Sequence, residues 1–336
     1  MRVLGSVLLV VALVGCSCHG ADVPDARVGR HDGGPPGDVV YPPGVGEVCG
    51  NGSDDDGDGL VDCADHECQA PDVDPGTVDF EAAYGFLYRG STGACAGAAM
   101  QPGYVDGTID DALFAVVRGR VIDSGTSAPL GGARVFVQGE PGLGEVRSQA
   151  DGIFELAVNA GTSVLVSVTL DGHVAVQRAI PVRPHDFTWA GDIAMTPIDP
   201  ASAVISMGST GAQVLRASVV EDQDGARRAT VVFPSRLSAT VHAADGTMRS
   251  PSQLTFHATE VTVGPNGPNA MPGLLPSTTS YTYAVEVSAD EVDMQSESIE
   301  LSSPVSLFVD NFLSFPVGTI APLGTYDRRN GTWTAE

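Results

Sequence analysis

The sequence contains no lysine, so arginine supplies all 17 of its basic residues. Set against 42 acidic residues, these leave a formal net charge of -25. A surface that binds nucleic acid needs clustered basic side chains to neutralise phosphates. The composition therefore excludes nucleic acid as a partner, and it suits surroundings rich in divalent cations, which offset repulsion between carboxylates.

Motifs of the common hydrolases are also absent. The sequence has no His-Glu-x-x-His zinc motif and no Gly-x-Ser-x-Gly turn, and no Cys-x-x-Cys pair points to zinc. The histidines are scattered: His66 lies beside an acidic segment, while His242 and His257 fall in alternating apolar runs, where structural roles are commoner. We therefore predict that the protein is not an enzyme.

A short apolar run near the amino terminus is typical of an export signal. Arg2 precedes the run Val7–Val14, and Gly15 and Cys16 follow it. The run is too short to span a bilayer, and no later stretch approaches the roughly 20 apolar residues that spanning requires. Residues 1–15 are predicted to be a signal peptide.

The end of this run, Leu13-Val14-Gly15-Cys16, resembles the lipobox of bacterial lipoproteins, in which the cysteine is acylated and becomes the new amino terminus. The resemblance implies a lipid on Cys16 and a protein held to a membrane. Ser17 implies the outer membrane or cell surface rather than retention at the inner membrane. The alternative is an ordinary signal cut near Gly20-Ala21, which would give a secreted protein.

Residues 16–46 are predicted to be a flexible tether. Asp32–Gly37 and Pro42–Gly44 are rich in glycine, proline and aspartate, a mixture that cannot bury enough apolar surface to become ordered. A spacer of this kind holds folded domains away from a membrane. A second glycine-rich stretch leads us to assign residues 70–113 as a linker.

Between these two segments, residues 47–69 contain the strongest candidate site, the acidic loop Asp54–Asp65. Carboxylates occupy positions 1, 3, 5, 9 and 12 of this loop and Gly59 occupies position 6, which is the spacing of a calcium loop. Because an aspartate closes the loop, Ca²⁺ affinity is expected in the weak range of roughly 10⁻⁴ to 10⁻³ M. The predicted ligands are the side chains of Asp54, Asp56, Asp58, Asp62 and Asp65 and the carbonyl of Leu60. The alternative is an acidic loop that binds no cation.

No amphipathic helix flanks this loop, so it resembles a thrombospondin type 3 or dockerin loop, and the Cys-Gly-Asn-Gly repeats of bacterial surface lipoproteins, rather than an EF-hand. Cys49, Cys63, Cys68 and Cys95 would lie in an oxidising compartment after export, where four cysteines allow three pairings. One bridge is expected to clamp the loop. Cys18 is then left over.

From residue 114 onward the chain reads as short strands and turns. In the region 114–198, apolar residues alternate through Val116–Asp123, Ala133–Val137, Ile153–Val158 and Ser163–Leu170, with turn residues between them. Strands of this length and spacing predict a β-sandwich. The segments Gly119–Asp123, Pro129–Val135 and Ala150–Phe154 resemble the carboxypeptidase regulatory-like domain, which implies a transthyretin-type sandwich without catalytic residues.

The region 199–336 continues the strand pattern through Gln213–Val220, Arg228–Pro234 and Ser280–Val287. Val261–Gly273 and the stretch from Pro304 to Arg328 resemble the region upstream of the repeats in bacterial RHS-repeat and teneurin-like surface proteins. That resemblance implies a fibronectin-like plug, with an RHS-type shell or another surface protein as partner. No repeat shell follows in this sequence, which fits either the front piece of a longer protein or a free-standing lipoprotein.

The expected fold class is therefore all-β, with a transthyretin-like and then a fibronectin-like sandwich after a disordered tether and a small disulfide and calcium loop. Two functions fit. One is a non-enzymatic surface module of an RHS or teneurin-like system, stiffened by calcium. The other is a free-standing lipoprotein that adheres to, or binds, a carbohydrate or protein through the loops of its sandwiches.

Overall fold

The computed structural model describes residues 7–11, 79–90, 99–243, 245–262, 266–274, 283–293, 297–320 and 323–335. These residues form two β-sandwiches in tandem, and the predicted all-β fold class is confirmed. Within these ranges, no helix has the length and apolar character needed to cross a bilayer.

The first sandwich packs a three-stranded sheet, in the order β5-β2-β8, against a four-stranded sheet, in the order β4-β3-β6-β7. Strands β2 and β8 are parallel, and the other neighbours are antiparallel. Its strands are β2 Phe114–Asp123, β3 Arg134–Val137, β4 Glu145–Arg147, β5 Ile153–Asn159, β6 Gly161–Thr169, β7 Val176–Val182 and β8 Phe187–Met195, with a 3-10 turn at Pro141–Leu143.

The alternation of apolar residues along each strand determines which side chains face the core of this sandwich. Val164, Val166 and Val168 of β6 all point into one core and are buried, as the period of two requires. The turn before β5 depends on Gly152, which has a φ of 85° and whose Cβ, if present, would lie 2.3 Å from the carbonyl oxygen of Val121. The strands predicted for this region are confirmed.

Part of the predicted linker belongs to this core. Two short helices, Phe80–Tyr84 and Phe86–Arg89, lie against the first sandwich. The Asp79 carboxylate caps the first of them by accepting from the Ala82 amide at 2.8 Å. Aromatic side chains of the helices surround Phe114, which is fully buried, with ring centroids within 5.3 Å. The segment 79–90 is therefore a structural part of the sandwich.

Gln101 closes an open sheet edge. Among the residues that the structure describes, strand β5 has a strand neighbour on one side only. At its other edge the side-chain amide of Gln101 accepts from the Ala157 amide at 2.8 Å and donates to the Ala157 carbonyl at 2.9 Å. These are the two hydrogen bonds that a further strand would make. Since an unpaired edge invites association with other chains, the buried Gln101 both satisfies the edge and blocks it.

The second sandwich has a six-stranded sheet, in the order β21-β20-β1-β17-β16-β9, which packs on the small sheets β10-β13-β19 and β15-β14-β18. A hairpin, β11-β12, completes it. Its strands are β1 Val7–Val11, β9 Ser202–Ser206, β10 Gln213–Arg216, β11 Val220–Asp222, β12 Gly225–Arg227, β13 Ala229–Phe233, β14 Ala239–Ala243, β15 Met248–Arg249, β16 Gln253–Glu260, β17 Tyr283–Ala289, β18 Glu297–Leu301, β19 Ser306–Val309, β20 Leu323–Asp327 and β21 Thr332–Ala335, with a 3-10 turn at Gly267–Ala270.

Strand β1 comes from the segment predicted to be a signal peptide. It pairs antiparallel with β17 on one side, with Val7 opposite Val287 and Val11 opposite Tyr283, and with β20 on the other. Valine favours extended backbone because of its branched Cβ, which gives a physical reason for a strand in this apolar run. The backbone of β1 thus joins β17 to the carboxyl-terminal hairpin β20-β21.

The two sandwiches meet across a buried interface. Its apolar part contains Val174 of the first sandwich and Val261, Met271, Ala284 and Tyr326 of the second. Gly273 allows the aromatic ring of Tyr326 to pack closely, since a Cβ at Gly273 would lie 2.2 Å from that ring. The interface is therefore closely packed.

Gln177 of β7 forms the polar centre of this interface. Its side-chain amide donates to the carbonyl of Arg328 and to the hydroxyl of Ser167, both at 2.9 Å, and accepts from the hydroxyl of Tyr326 at 3.0 Å. Its backbone amide donates to the carbonyl of Pro272 at 2.6 Å. One buried side chain therefore joins both sandwiches.

The neighbouring Arg178 is also buried and binds backbone carbonyl groups. Its guanidinium donates to the carbonyls of Gln177 at 2.7 Å and Met271 at 3.0 Å, and to that of Asn269. Burial lowers the pKa of Arg178 to about 10, so the side chain still carries its charge at neutral pH. Charged hydrogen bonds of this kind hold the turn 267–270 against β7.

Candidate binding cleft between the sandwiches

A cleft of about 860 Å³ opens beside this interface. The first sandwich contributes the turn after β6 and one residue each of β3 and β4. The second contributes the segment 198–200, parts of β16 and β17, the residues that follow β17, and Arg328. The volume lies within the range of roughly 300 to 1,000 Å³ that is typical of small-molecule sites. The cleft is therefore large enough for a ligand.

A buried ion pair lies at the inner end of the cleft. Nη2 of Arg328 is 3.2 Å from Oε1 of Glu286, and the two side chains are only 7% and 3% exposed. Arg328 also donates from Nη1 to the carbonyl of Ala175 at 2.8 Å. The topology explains the pair, because Glu286 lies on the face of β17 that is turned towards the first sandwich and Arg328 follows β20 directly.

His257 of β16 lies on one wall of the cleft. Its Nδ1 is 2.7 Å from the carbonyl oxygen of Asp199, and because a carbonyl only accepts, Nδ1 carries the hydrogen. Its Nε2 is 3.0 Å from Oδ1 of Asp290, whose side chain is more than half exposed. The carboxylate of Asp199 is held within the protein, since it accepts from both the amide and the hydroxyl of Ser218.

The rim of the cleft carries more acidic than basic side chains. Asp171, Asp290 and Asp293 supply carboxylates. The rim arginines Arg134 and Arg147 lie 2.5 Å and 3.6 Å from the carboxylate of Glu145, whose single negative charge offsets one of the two positive charges. The outer part of the cleft therefore offers both carboxylate acceptors and guanidinium donors around the neutral Glu286–Arg328 pair.

The structure does not describe the site residues that were predicted from the sequence. The proposed lipid site Cys16, the proposed calcium ligands and the proposed disulfide cysteines all fall outside the described residues. They are Asp54, Asp56, Asp58, Leu60, Asp62, Asp65, Cys49, Cys63, Cys68 and Cys95. Among the residues that the structure describes, no group of three or more His, Cys, Asp or Glu side chains is arranged to hold a metal ion.

Glu286 and Arg328 were not among the site residues predicted from the sequence. One signal was present, since Glu286 interrupts the stretch 283–287 of β17, in which no other side chain is charged. A carboxylate in such a run is normally exposed, and only the packing of the first sandwich on this face buries it. His257 was given a structural role, and the structure places it at the cleft.

With its three-stranded sheet packed on a four-stranded sheet, the first sandwich forms a transthyretin-like module. Residues 109–195 match the family model described as the teneurin TTR-like domain. The transthyretin-type prediction for this region is therefore confirmed, and the region is teneurin-like.

Two teneurins are similar to this chain in sequence. Teneurin-4 of Mus musculus is 30% identical over 144 residues, and Teneurin-1 of Caenorhabditis elegans is 28% identical over 175 residues. These matches cover 35% and 44% of this chain but only 5% and 6% of the relatives. Among solved structures, the Streptococcal ancillary pilin is similar with a TM-score of 0.21 and 7% identity, over 52% of this chain and 59% of that one.

Proposed function

We propose that the protein is an exported, non-enzymatic surface module anchored by a lipid on Cys16. The match of residues 109–195 to a teneurin TTR-like domain carries this proposal. The buried interface between the sandwiches supports it, because two modules joined by Gln177 and Arg178 form a rigid unit that can present a surface at the end of a tether. The outer membrane or cell surface is the proposed location.

We also propose that the protein forms part of a larger assembly. The teneurin relatives are far longer than the part that this chain matches. A module of this size would act as an accessory to an RHS-type shell or to another surface protein. The region 199–336 would be the fibronectin-like plug of that system.

Substitution of Cys16 tests the proposed lipid anchor. We expect the wild-type chain, produced in a bacterial host fed with labelled palmitate, to incorporate the label and to sediment with membranes. Cys16→Ser should abolish both, because the hydroxyl is not acylated, whereas Cys18→Ser should leave both unchanged. Equal labelling of the two variants, or a wild-type protein that is soluble and unlabelled, would contradict the anchor.

We further propose that the loop Asp54–Asp65 binds Ca²⁺ and stiffens the stalk. Calorimetric titration of the delipidated mature chain should give a dissociation constant of roughly 10⁻⁴ to 10⁻³ M. The variant with Asp56→Ala and Asp58→Ala should lose binding, because two of the side-chain ligands are gone.

The matched control for this titration carries Asp106→Ala and Asp224→Ala. It removes the same charge from two exposed positions in the sandwiches and should bind as the wild type does. If the control weakens binding as much as the loop variant, or if the wild type releases no heat, the loop is an acidic linker and not a calcium site.

A second function is favoured by the cleft. A free-standing lipoprotein that binds a carbohydrate or protein needs a concave site with a few convergent polar groups. The cleft beside the interface has that shape, and its inner end contains Glu286 and Arg328. In that case the role of the two sandwiches would be to form the walls of the binding site.

A further inference from the structure

The ion pair at the inner end of the cleft is incomplete. Glu286 uses Oε1 and Arg328 uses Nη2 to form the pair, whereas Oε2 of Glu286 and Nε of Arg328 have no hydrogen-bond partner among the described residues. Buried polar atoms in native proteins almost always have partners, and an unpaired one costs free energy. Glu286 thus needs a donor, and Arg328 needs an acceptor.

A hydroxyl group meets both needs, because it can donate to a carboxylate and accept from a guanidinium. An ammonium group can donate to Glu286 but offers no acceptor to Arg328, and a carboxylate can accept from Arg328 but offers no donor to Glu286, so each would leave one buried atom unpaired. A neutral ligand with several hydroxyl groups avoids both penalties. Its outer hydroxyls can donate to the rim carboxylates.

The size and the lining of the cleft also favour a neutral ligand with several hydroxyl groups. A volume of about 860 Å³ is far more than the roughly 30 Å³ of one water molecule. Leu170, Ile198 and Val292 provide apolar surface for the C–H groups of a sugar ring. We propose that the cleft binds a neutral saccharide, with hydroxyl groups that complete the Glu286–Arg328 pair. This inference rests on the second proposed function.

The test uses saturation-transfer NMR on the full chain with glucose, galactose, mannose and N-acetylglucosamine as probes, and with putrescine as a cationic probe. We expect transfer to at least one of the four sugars and none to putrescine. Glu286→Gln keeps the shape of the side chain but removes the charge, and it should weaken sugar binding about tenfold.

Asp290→Asn is a second variant at an exposed rim position, so the protein remains folded. It should weaken the same sugar by a smaller factor. Asp106→Asn, an exposed change in the first sandwich outside the cleft, should have no effect.

Three results would overturn the proposal. Transfer to putrescine with none to the sugars would make the cleft a cation site. Transfer to none of the five probes would show that solvent alone fills it. Sugar binding that is unchanged in both Glu286→Gln and Asp290→Asn would place a carbohydrate site elsewhere, so the second proposed function would survive while the assignment to the cleft would fail.

Discussion

Replacing Tyr326 with alanine is expected to lower the free energy of unfolding by about 3–5 kcal/mol. The side chain is 4% exposed, its ring centroid lies 5.1 Å from that of Trp333, and its hydroxyl donates to Oε1 of Gln177. The change leaves a cavity where the two sandwiches meet. It also leaves the buried Gln177 oxygen without this donor, at a further cost.

Differential scanning calorimetry should show how this loss is distributed. Because one buried interface joins the sandwiches, the wild-type protein is expected to unfold in a single transition. Tyr326→Ala should split that transition into two, with the second sandwich unfolding first because it holds most of the lost contacts. Tyr326→Phe is the matched control, since it keeps the ring and should cost only about 1 kcal/mol. Equal losses in the two variants would show that packing of the ring does not hold the interface.

Replacing Arg227 with methionine should cost about 3–5 kcal/mol, because it leaves a buried carboxylate without its countercharge. The guanidinium donates to both oxygens of Asp222 at 2.8 Å and from Nε to Oε1 of Glu260 at 2.9 Å, and it lies 4.5 Å from the ring centroid of Phe312. The side chains of Arg227 and Glu260 are each 4% exposed. Methionine would retain the apolar contact but none of the hydrogen bonds.

The pH dependence of stability should show that the unpaired carboxylate of Glu260 causes the loss of stability in Arg227→Met. Burial raises the pKa of Glu260, while Arg227 and the hydroxyl of Thr262 oppose that rise, so the pKa should rise further in the variant. A carboxyl with a higher pKa in the folded than in the unfolded state costs stability when it is ionised. The cost is full above the folded pKa and disappears as the pH falls towards the ordinary value of 4.5.

Urea denaturation at several pH values between about 7 and 4.5 would measure the free energy of unfolding of both proteins. The difference in stability between the wild type and Arg227→Met should therefore shrink as the pH falls from about 7 towards 4.5. Glu260 is the group that acts in this range, because the stability gained from Asp222, whose pKa its hydrogen bonds with Arg227 lower to about 2, is lost only as the pH falls below the ordinary value of 3.8. Arg216→Ala removes an exposed arginine and should change stability by no more than about 0.5 kcal/mol. A difference that is the same at both ends of the range would mean that a buried charge is not responsible.

Most of the strands could be predicted from the sequence because alternation is a local property. The run predicted as Val116–Asp123 is observed as Phe114–Asp123, and the run predicted as Ile153–Val158 as Ile153–Asn159. The helices of residues 80–89 were not predicted, since four or five residues are too few to show a helical period. Only their contact with Phe114 makes them part of a core.

The cleft could not be predicted for a different reason. Glu286 and Arg328 are far apart in the chain, and the sequence does not show which face of β17 another domain covers. The same applies to Gln101, whose role depends on β5 lying at the edge of its sheet. The fibronectin-like assignment of the second sandwich, the calcium loop and the lipid anchor remain predictions.

The position of β1 gives the amino-terminal segment a structural role in addition to its predicted role in export. If residues 1–15 are removed on export, the strand between β17 and β20 leaves with them, and the hairpin β20-β21 keeps its place through the contacts of Tyr326 and Arg328 with the first sandwich. The precursor and the processed protein would then differ in the connectivity of their largest sheet. Maturation would open a five-residue gap lined by two strand edges, and the two forms should be treated as distinct molecules in crystallisation and binding studies.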